Sequence, residues 1–357
     1  MYDFIIITHL PSFYKVNLYN EMSNRYKIAV IFLGEGSEIR NNDFKSDSYS
    51  FDCFSLSENK FEARNKIFTC LKLIKLLYSL SFHKLIIGGW EMPEFFLASL
   101  FAKKKNLSFV MESSIYEYKK NIFKDLLKKL FVKRFSSCHV SGKPQEDLVA
   151  KLGFSGCFYT TFGVGLVNEI DNKFIEKLSP AKFKPRKITK LLYVGRLSKE
   201  KNLEFIISAL SQMKDFHFNI IGSGPDEEYL KSISSSNITF IGYVNNNELK
   251  KYYMDNDLFI LPSNSEPWGL VVEEAIYYYC PVLVSDSVGC NIDLVLKKST
   301  GLVFETNSTN SFIDRLTEIA DYDNYQKYLN NCGPSVFQHL RLKQLSSYDD
   351  FYNSQSY

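Results

Sequence analysis

Two carboxylates, Glu266 and Glu274, stand with seven residues between them in the stretch DLFILPSNSEPWGLVVEEAIYYYCPVLVSD at 257–286. An ionised carboxylate only accepts hydrogen bonds, so each suits a polyol. Glu266 could hold sugar hydroxyls and Glu274 a second polyol such as a ribose. Residues 258–261 read as a short buried strand stopped by Pro262, residues 269–279 as a helix and residues 281–285 as the next strand. This is a βαβ unit, and open α/β sheets bind ligands outside the carboxyl ends of their strands. Glu274 would lie about two turns from Glu266 if the chain between them were helical. Glu273 would point about 100° away from Glu274. The helix start offers unpaired N–H groups and a positive dipole end, which suit phosphate. Taken alone, these glutamates read equally as solvated helix residues, and the weight comes from residues upstream.

Residues 190–194 form a strand running into Gly195 and Arg196, followed by Lys201 and a helix at 203–213. Arginine supplies a planar fork and lysine a mobile point charge, the two cationic ways to hold a diphosphate. A strand at 218–222 ends in Gly222-Ser-Gly224-Pro225, which is not a full G-x-G-x-x-G and by itself reads as a turn. A strand at 238–241 ends at Gly242, Tyr243 and Val244, whose backbone could meet a base edge.

In the first half, strands are expected at 2–8, 27–33, 84–87, 107–111, 137–141 and 158–162. Helices are expected at 17–25, 61–80, 93–105 and 143–152, with 35–60 polar and irregular. Alternation of strand and helix implies parallel sheets, hence an α/β fold of two Rossmann-like domains. The expected division is a first domain at 1–168, a linker at 169–187, a second domain at 188–339 and a tail at 340–357. The first 168 residues hold 23 Lys+Arg against 16 Asp+Glu and the remainder 20 against 24, so the halves suit different partners. The seven scattered cysteines include no C-x-x-C, which fits a reducing cytoplasm and argues against a disulfide frame or zinc site. Residues 4–7 are too short for a signal peptide, and no apolar run reaches the ~18 residues of a membrane span.

Residues 119–135, KKNIFKDLLKKLFVKRF, carry seven Lys or Arg and one acid. Ile122, Phe123, Leu126, Leu127, Leu130 and Phe131 share one stripe at helical spacing. Two readings fit: a helix lying in an anionic membrane surface, or a domain-surface helix with its apolar face in the core. Nucleic-acid binding is not expected, because no stacking motif interleaves with the basic residues.

Gly195-Arg196 with Lys201-Asn202, Gly222-x-Gly224, Gly242-Tyr243-Val244, Ser263-x-x-Glu266-x-Trp268-Gly269, Glu274-Ala275, Pro281-Val-x-Val and Gly289 follow one another over 190–304. In order and spacing they resemble the family-4 retaining glycosyltransferases of the GT-B fold, in which two Rossmann-like domains face each other across a cleft. The start Pro11-x-Phe-Tyr14-Lys-x-Asn17 is similar to a sub-branch that usually has Arg in place of Lys15. The resemblance implies a hexosyl transfer from a nucleotide-diphospho-sugar, UDP-linked ahead of GDP-linked, with no metal and no further cofactor. Arg196 and Lys201 would neutralise the diphosphate and Glu266 would bind the donor sugar. The amides of Trp268, Gly269 and Leu270 would touch sugar and phosphate, Glu274 the ribose, and Gly195, Gly242, Tyr243 and Val244 the nucleotide.

The first half departs from the family pattern. His9-Leu-Pro11 replaces a glycine pair, and Met111-Glu112-Ser-Ser114 stands where relatives carry a catalytic-region histidine. His9, Trp90 and Glu112 are the acceptor-side candidates, each with a packing or capping role as the alternative. A composition rich in Lys, Asn, Phe and Tyr is similar to that of bacterial surface-polysaccharide enzymes. With a basic first domain and the basic helix at 119–135, a lipid-linked glycan acceptor, as in O-antigen or capsule synthesis, is expected at the cytoplasmic face of the membrane. The rival readings are a nucleotide-sugar 2-epimerase of the same fold and a non-catalytic sugar-binding protein. The tail is expected to return to the first domain as a helix.

Overall fold

The computed structural model describes residues 1–38, 45–46, 48–167, 183 and 187–354. The chain forms two compact units, Met1–Asn168 with Leu340–Tyr357 and Glu169–His339. The expected linker at 169–187 lies outside the described residues except for Phe183 and Lys187.

The first unit is built on seven parallel strands: β1 Tyr2–Thr8, β2 Ile28–Phe32, β3 Asp52–Ser55, β4 Phe82–Ile87, β5 Leu107–Met111, β6 Ser137–Val140 and β7 Cys157–Thr160. Their order is β3-β2-β1-β4-β5-β6-β7. The run of four isoleucine and phenylalanine residues in β1, Phe4 to Ile7, is apolar on both sides because both faces of the sheet are covered. Helix α1, Phe13–Ser23, covers one face. Helices α2 Lys66–Ser79, α3 Pro93–Ala98, α4 Ile122–Val132 and α5 Lys143–Lys151 cover the other, with Leu73, Phe95, Phe131 and Leu148 in one core with Ile5 and Ile87.

The second unit has six parallel strands: β8 Lys190–Val194, β9 His217–Ile221, β10 Ile238–Gly242, β11 Leu258–Leu261, β12 Val282–Ser285 and β13 Gly301–Phe304. Their order is β10-β9-β8-β11-β12-β13. Its helices are α6 Leu203–Leu210, α7 Glu227–Ser232, α8 Asn246–Asp255, α9 Leu270–Tyr277, α10 Thr309–Ala320 and α11 Tyr322–Leu329, and a π-helical turn spans Asn291–Leu296. Helix α12, Pro334–Asn353, begins in the second unit. Beyond Leu340 it belongs to the first, where Leu345, Tyr348 and Phe351 pack with Phe4 and Val30 on the α1 face. Tyr26 and Tyr352 fasten it by hydrogen bonds to Asp349 and Asp3 at 2.7 and 2.8 Å.

Several boundaries differ from the sequence expectation. The helix expected at 61–80 is a 3-10 turn at Phe61–Ala63 followed by α2, whose start Asn65 caps by accepting from the amides of Ile67 and Phe68. The helix expected to reach residue 105 stops at Ala98, and α1 starts at Phe13 instead of Asn17. Strand β3 lies within the stretch expected to be irregular, and its residues DCFS show no alternation to announce it.

Each sheet reverses its winding once. The neighbours at the reversal are β1 and β4 in the first unit and β8 and β11 in the second. The loops leaving the carboxyl ends of such a pair diverge and leave a crevice.

Candidate functional site

In the second unit, the loops after β8 and β11 carry the residues singled out in the sequence. Asn202 joins these loops, donating to the carbonyl of Pro262 at 3.1 Å and to the side chain of Asn307 at 3.0 Å. The amide of Asn264 donates to the carbonyl of Glu200 at 2.9 Å. Between these anchors the ammonium of Lys201 donates to the carboxylate of Glu266, and both side chains are largely shielded from water. Low exposure strengthens such a pair, because water competes less for each partner. Arg196 lies five residues before Lys201 and is exposed, and among the described residues it pairs with no carboxylate.

Close backbone approach explains the glycines. A Cβ on Gly222 would lie 1.8 Å from the carbonyl oxygen of Gly195. The following turn lies on the Arg196 loop, with the amide of Leu197 donating to the carbonyl of Ser223 at 3.0 Å. The Gly222-x-Gly224 turn therefore supports the cationic loop. Gly242 ends β10 with φ near +85° and accepts from the amide of Gly222 at 2.9 Å, and Tyr243 beside it is exposed.

The backbone of Glu266 is held on both sides by the loop after β12. Its amide donates to the carbonyl of Ser287 at 3.1 Å, and its carbonyl accepts from Gly289 at 2.9 Å. Gly269 has φ of +105°, a region favouring glycine, and the helix begins only after it at Leu270. The chain from Glu266 to Glu274 is thus not one continuous helix, which corrects the two-turn spacing expected from the sequence. Glu274 instead reaches α8, where its carboxylate accepts from the hydroxyl of Tyr253 at 2.9 Å. Burial pushes this carboxyl up to about 7, with the tyrosine hydroxyl working against it.

Glu273 points away from Glu274, as expected, into a buried site where it accepts from the indole N–H of Trp268. Burial raises its carboxyl to about 8, the indole hydrogen bond works against that, and the Glu274 charge adds to it. The indole itself is buried, so Trp268 offers only its backbone to a ligand. The sequence signalled neither Tyr253 nor the Glu273–Trp268 pairing. Asp257 is structural, since its carboxylate accepts from the amides of Thr189 and Lys190 at 2.9 and 2.8 Å.

In the first unit, the crevice between β1 and β4 is lined by His9 and by the Gly88–Glu91 loop. The imidazole Nε2 of His9 lies 3.7 Å from the Glu91 carboxylate, and its ring meets Phe61 and Phe95 edge-on at 5.5 and 4.9 Å. Burial works against the charge of Glu91, but His9 and nearby backbone amides outweigh it and hold the carboxyl below its ordinary value. Trp90 is half-buried, with the Lys128 ammonium 4.3 Å from its ring centroid. Glu112, after β5, pairs with the buried Lys15 at 2.7 Å, and Lys15 also donates to Thr8 at 3.2 Å. Burial disfavours the Lys15 charge, yet Glu112 and its surroundings raise the ammonium above its usual range. Glu94 is a packing residue, fully buried against Arg64 at 3.0 Å and Thr69 at 2.7 Å. His9 with Glu91 and Glu112 with Lys15 are thus two separate pairs at the carboxyl edge of one sheet.

Of the apolar stripe on α4, Ile122, Phe123, Leu126, Leu127 and Leu130 are exposed and only Phe131 enters the core.

Two doubly wound parallel sheets, the second with exposed Arg196 and the shielded Lys201–Glu266 pair in the loops at its reversal, define an α/β protein whose diverging loops lie at the carboxyl ends of its strands. Residues 174–335, which lie in the second unit, match the family model of the group 1 glycosyl transferases. The fold is that of the GT-B glycosyltransferases. Over 99% of this chain and 100% of the other it resembles Anabaena HepE in complex with UDP and glucose, at a TM-score of 0.69 and 12% identity. Among curated relatives, the O-antigen biosynthesis glycosyltransferase WbnH of Escherichia coli is 36% identical over 141 residues, 39% of this chain and 40% of that protein. An uncharacterized glycosyltransferase of Methanocaldococcus jannaschii, MJ1607, is 30% identical over 159 residues, 42% of this chain and 40% of that protein. The matches thus span about two fifths of these relatives' length. Among the described residues no helix is long and apolar enough to cross a membrane.

Proposed function

We propose that the protein is a retaining glycosyltransferase that moves a hexosyl group from a nucleotide-diphospho-sugar to a hydroxyl of a lipid-linked glycan. The product would enter a cell-surface polysaccharide such as O-antigen or capsule. The observation that carries the reading is the Lys201–Glu266 pair at the β8/β11 crevice of a group 1 domain. A diphosphate entering there competes for Lys201 and frees Glu266 to accept from the hydroxyls of the donor sugar. Arg196, Lys201 and the amino end of α9 then oppose the negative charge that grows as the diphosphate departs. They make a divalent ion unnecessary. Glu266 positions the sugar and does not form a covalent adduct. Glu274, with Tyr253, receives the ribose, and Tyr243 and Val244 the base, with UDP favoured over GDP. His9, Trp90 and Glu112 belong to the acceptor side. The exposed apolar face of α4, with its lysines, rests on the cytoplasmic face of the membrane where a lipid-linked acceptor is found.

Thermal shift with a panel of nucleotide sugars tests the donor site. Stabilisation by one UDP-sugar, absent in Glu274→Ala, is expected, because a ligand that binds only the folded state raises the melting temperature. Failure of every nucleotide sugar to shift a folded protein overturns the reading. Conversion of the donor without any acceptor would assign the protein to the epimerases, and added EDTA should leave the transfer rate unchanged.

A further inference from the structure

Building on the reading that α4 meets a membrane, we propose that the docking surface is a platform of three helices, α2, α3 and α4, fitted to an anionic lipid bilayer. All three pack on the same sheet face, with Leu77, Ala98 and Val132 in one core. Their opposite sides therefore look away from the sheet together. On α2 that side carries Ile67, Phe68 and Leu71, which are 76%, 61% and 61% exposed. Phe96 of α3 and Leu100 just beyond it are exposed as well. The helices are joined laterally. Tyr78 of α2 meets Phe101 edge-on at 5.1 Å, and Arg134 after α4 donates to the carbonyl of Ser99 after α3 at 2.8 Å.

Charge identifies the occupant. The three helices contain two acidic residues, Glu94 and Asp125, and both are buried. Glu94 is held by Arg64 and Thr69, and Asp125 accepts from the hydroxyl of Tyr118 at 2.6 Å and the amide of Asn121 at 3.2 Å. Lys66, Lys75, Lys124 and Lys129 are exposed among the apolar side chains. Isolated surface apolar residues are ordinary, but a run across three joined helices is not. A second copy of the chain would set these lysines against one another. An anionic bilayer takes the apolar tips into its acyl boundary and pairs the ammonium groups with its headgroups.

The test is co-sedimentation of the full chain with vesicles of phosphatidylglycerol and phosphatidylcholine, compared with phosphatidylcholine alone. Two variants are used, Ile67→Ser with Phe68→Ser and Leu71→Ser on α2, and Phe123→Ser with Leu127→Ser on α4. The platform requires each variant to lose roughly tenfold or more in partitioning to the anionic vesicles. Their melting temperatures and nucleotide-sugar shifts should stay at wild-type values, because the substituted side chains are exposed. An α2 variant that binds like wild type while the α4 variant does not overturns the platform and leaves the single-helix reading standing. Absence of wild-type binding to the anionic vesicles overturns both and leaves the face to a protein partner. Equal binding to phosphatidylcholine alone overturns the assignment of an anionic surface.

Discussion

The two units share one winding scheme and use its reversal differently. At the β8/β11 reversal the loops present Arg196 and the Lys201–Glu266 pair, and glycines bring the backbones close. At the β1/β4 reversal the loops present an imidazole beside a carboxylate within an aromatic surround. The first arrangement suits a ligand that joins a fixed negative charge to hydroxyl groups. The second suits a neutral polyol, whose hydroxyls need hydrogen-bond partners and whose faces lie on aromatic rings. The comparison shows that topology fixes where a ligand is met, and the loop residues fix what is met.

The sharpest way to separate carboxylates that hold the fold from those that serve a ligand is Glu94→Ala against Glu266→Gln. Glu94 is fully buried, so removing it leaves the Arg64 guanidinium buried without its partner. A loss of about 3–5 kcal/mol in stability is expected by chemical denaturation. Nucleotide-sugar affinity, measured where the variant is folded, should not change. A stability loss under about 1 kcal/mol would show that the pair is exchanged for water.

Glu266→Gln should do the reverse. The side chain is partly accessible and its backbone is fixed by Ser287 and Gly289, so the fold should tolerate the change. Transfer should fall by roughly 100- to 1000-fold, the scale of a lost electrostatic or positioning contact in a transition state. Nucleotide binding should persist or tighten, because Lys201 loses its internal competitor. Turnover within a few fold of wild type would remove Glu266 from the proposed mechanism.

Much of the second unit was legible because its signals are local. Strand, glycine and cation follow one another within Lys190–Lys201, and Glu266 stands one short loop after a strand. The pairing of His9 with Glu91 was not legible, because 81 residues separate them and only adjacency of β1 and β4 brings them together. Tyr253 was equally silent, since nothing in α8 marks one tyrosine as the partner of Glu274. The stripe on α4 was visible as a stripe, but periodicity does not say whether an apolar face meets a core or a solvent. Strand β3 escaped because an edge strand with exposed residues has no hydrophobic pattern to show.

The raised carboxyls of the second unit make its stability depend on pH. Glu273 and Glu274 bind protons more tightly in the folded chain, at about 8 and about 7, than in the unfolded chain, whose ordinary value is 4.5. The stabilisation is complete below the unfolded value and is lost as pH rises through about 7 and about 8. Melting temperature should therefore fall as pH is raised from about 5 to about 9. Glu273→Gln keeps an acceptor for the Trp268 indole but cannot ionise. It should flatten the alkaline part of the curve and leave the Glu274 part near pH 7. An unchanged profile would show that Glu273 does not titrate in this range.

The smallest effect is expected at the first unit's reversal. His9→Gln preserves a hydrogen-bonding side chain but removes the imidazole whose hydrogen bond lowers the Glu91 carboxyl. If the pair serves the acceptor, transfer at low acceptor concentration should fall about tenfold, the scale of about 1.4 kcal/mol of lost binding in the transition state. The nucleotide-sugar thermal shift should match wild type, because the residues proposed for the donor lie on the other unit. The Glu91 carboxyl would then rise toward its ordinary range, so the acid limb of the pH–rate profile should move to higher pH. A purely packing role for His9 predicts instead a lower melting temperature, from lost edge contacts with Phe61 and Phe95, and an acid limb that stays where it is. The two readouts move independently. The melting temperature reports how His9 packs, and the acid limb reports whether the first crevice holds a titrating carboxyl, that of Glu91, that the acceptor meets.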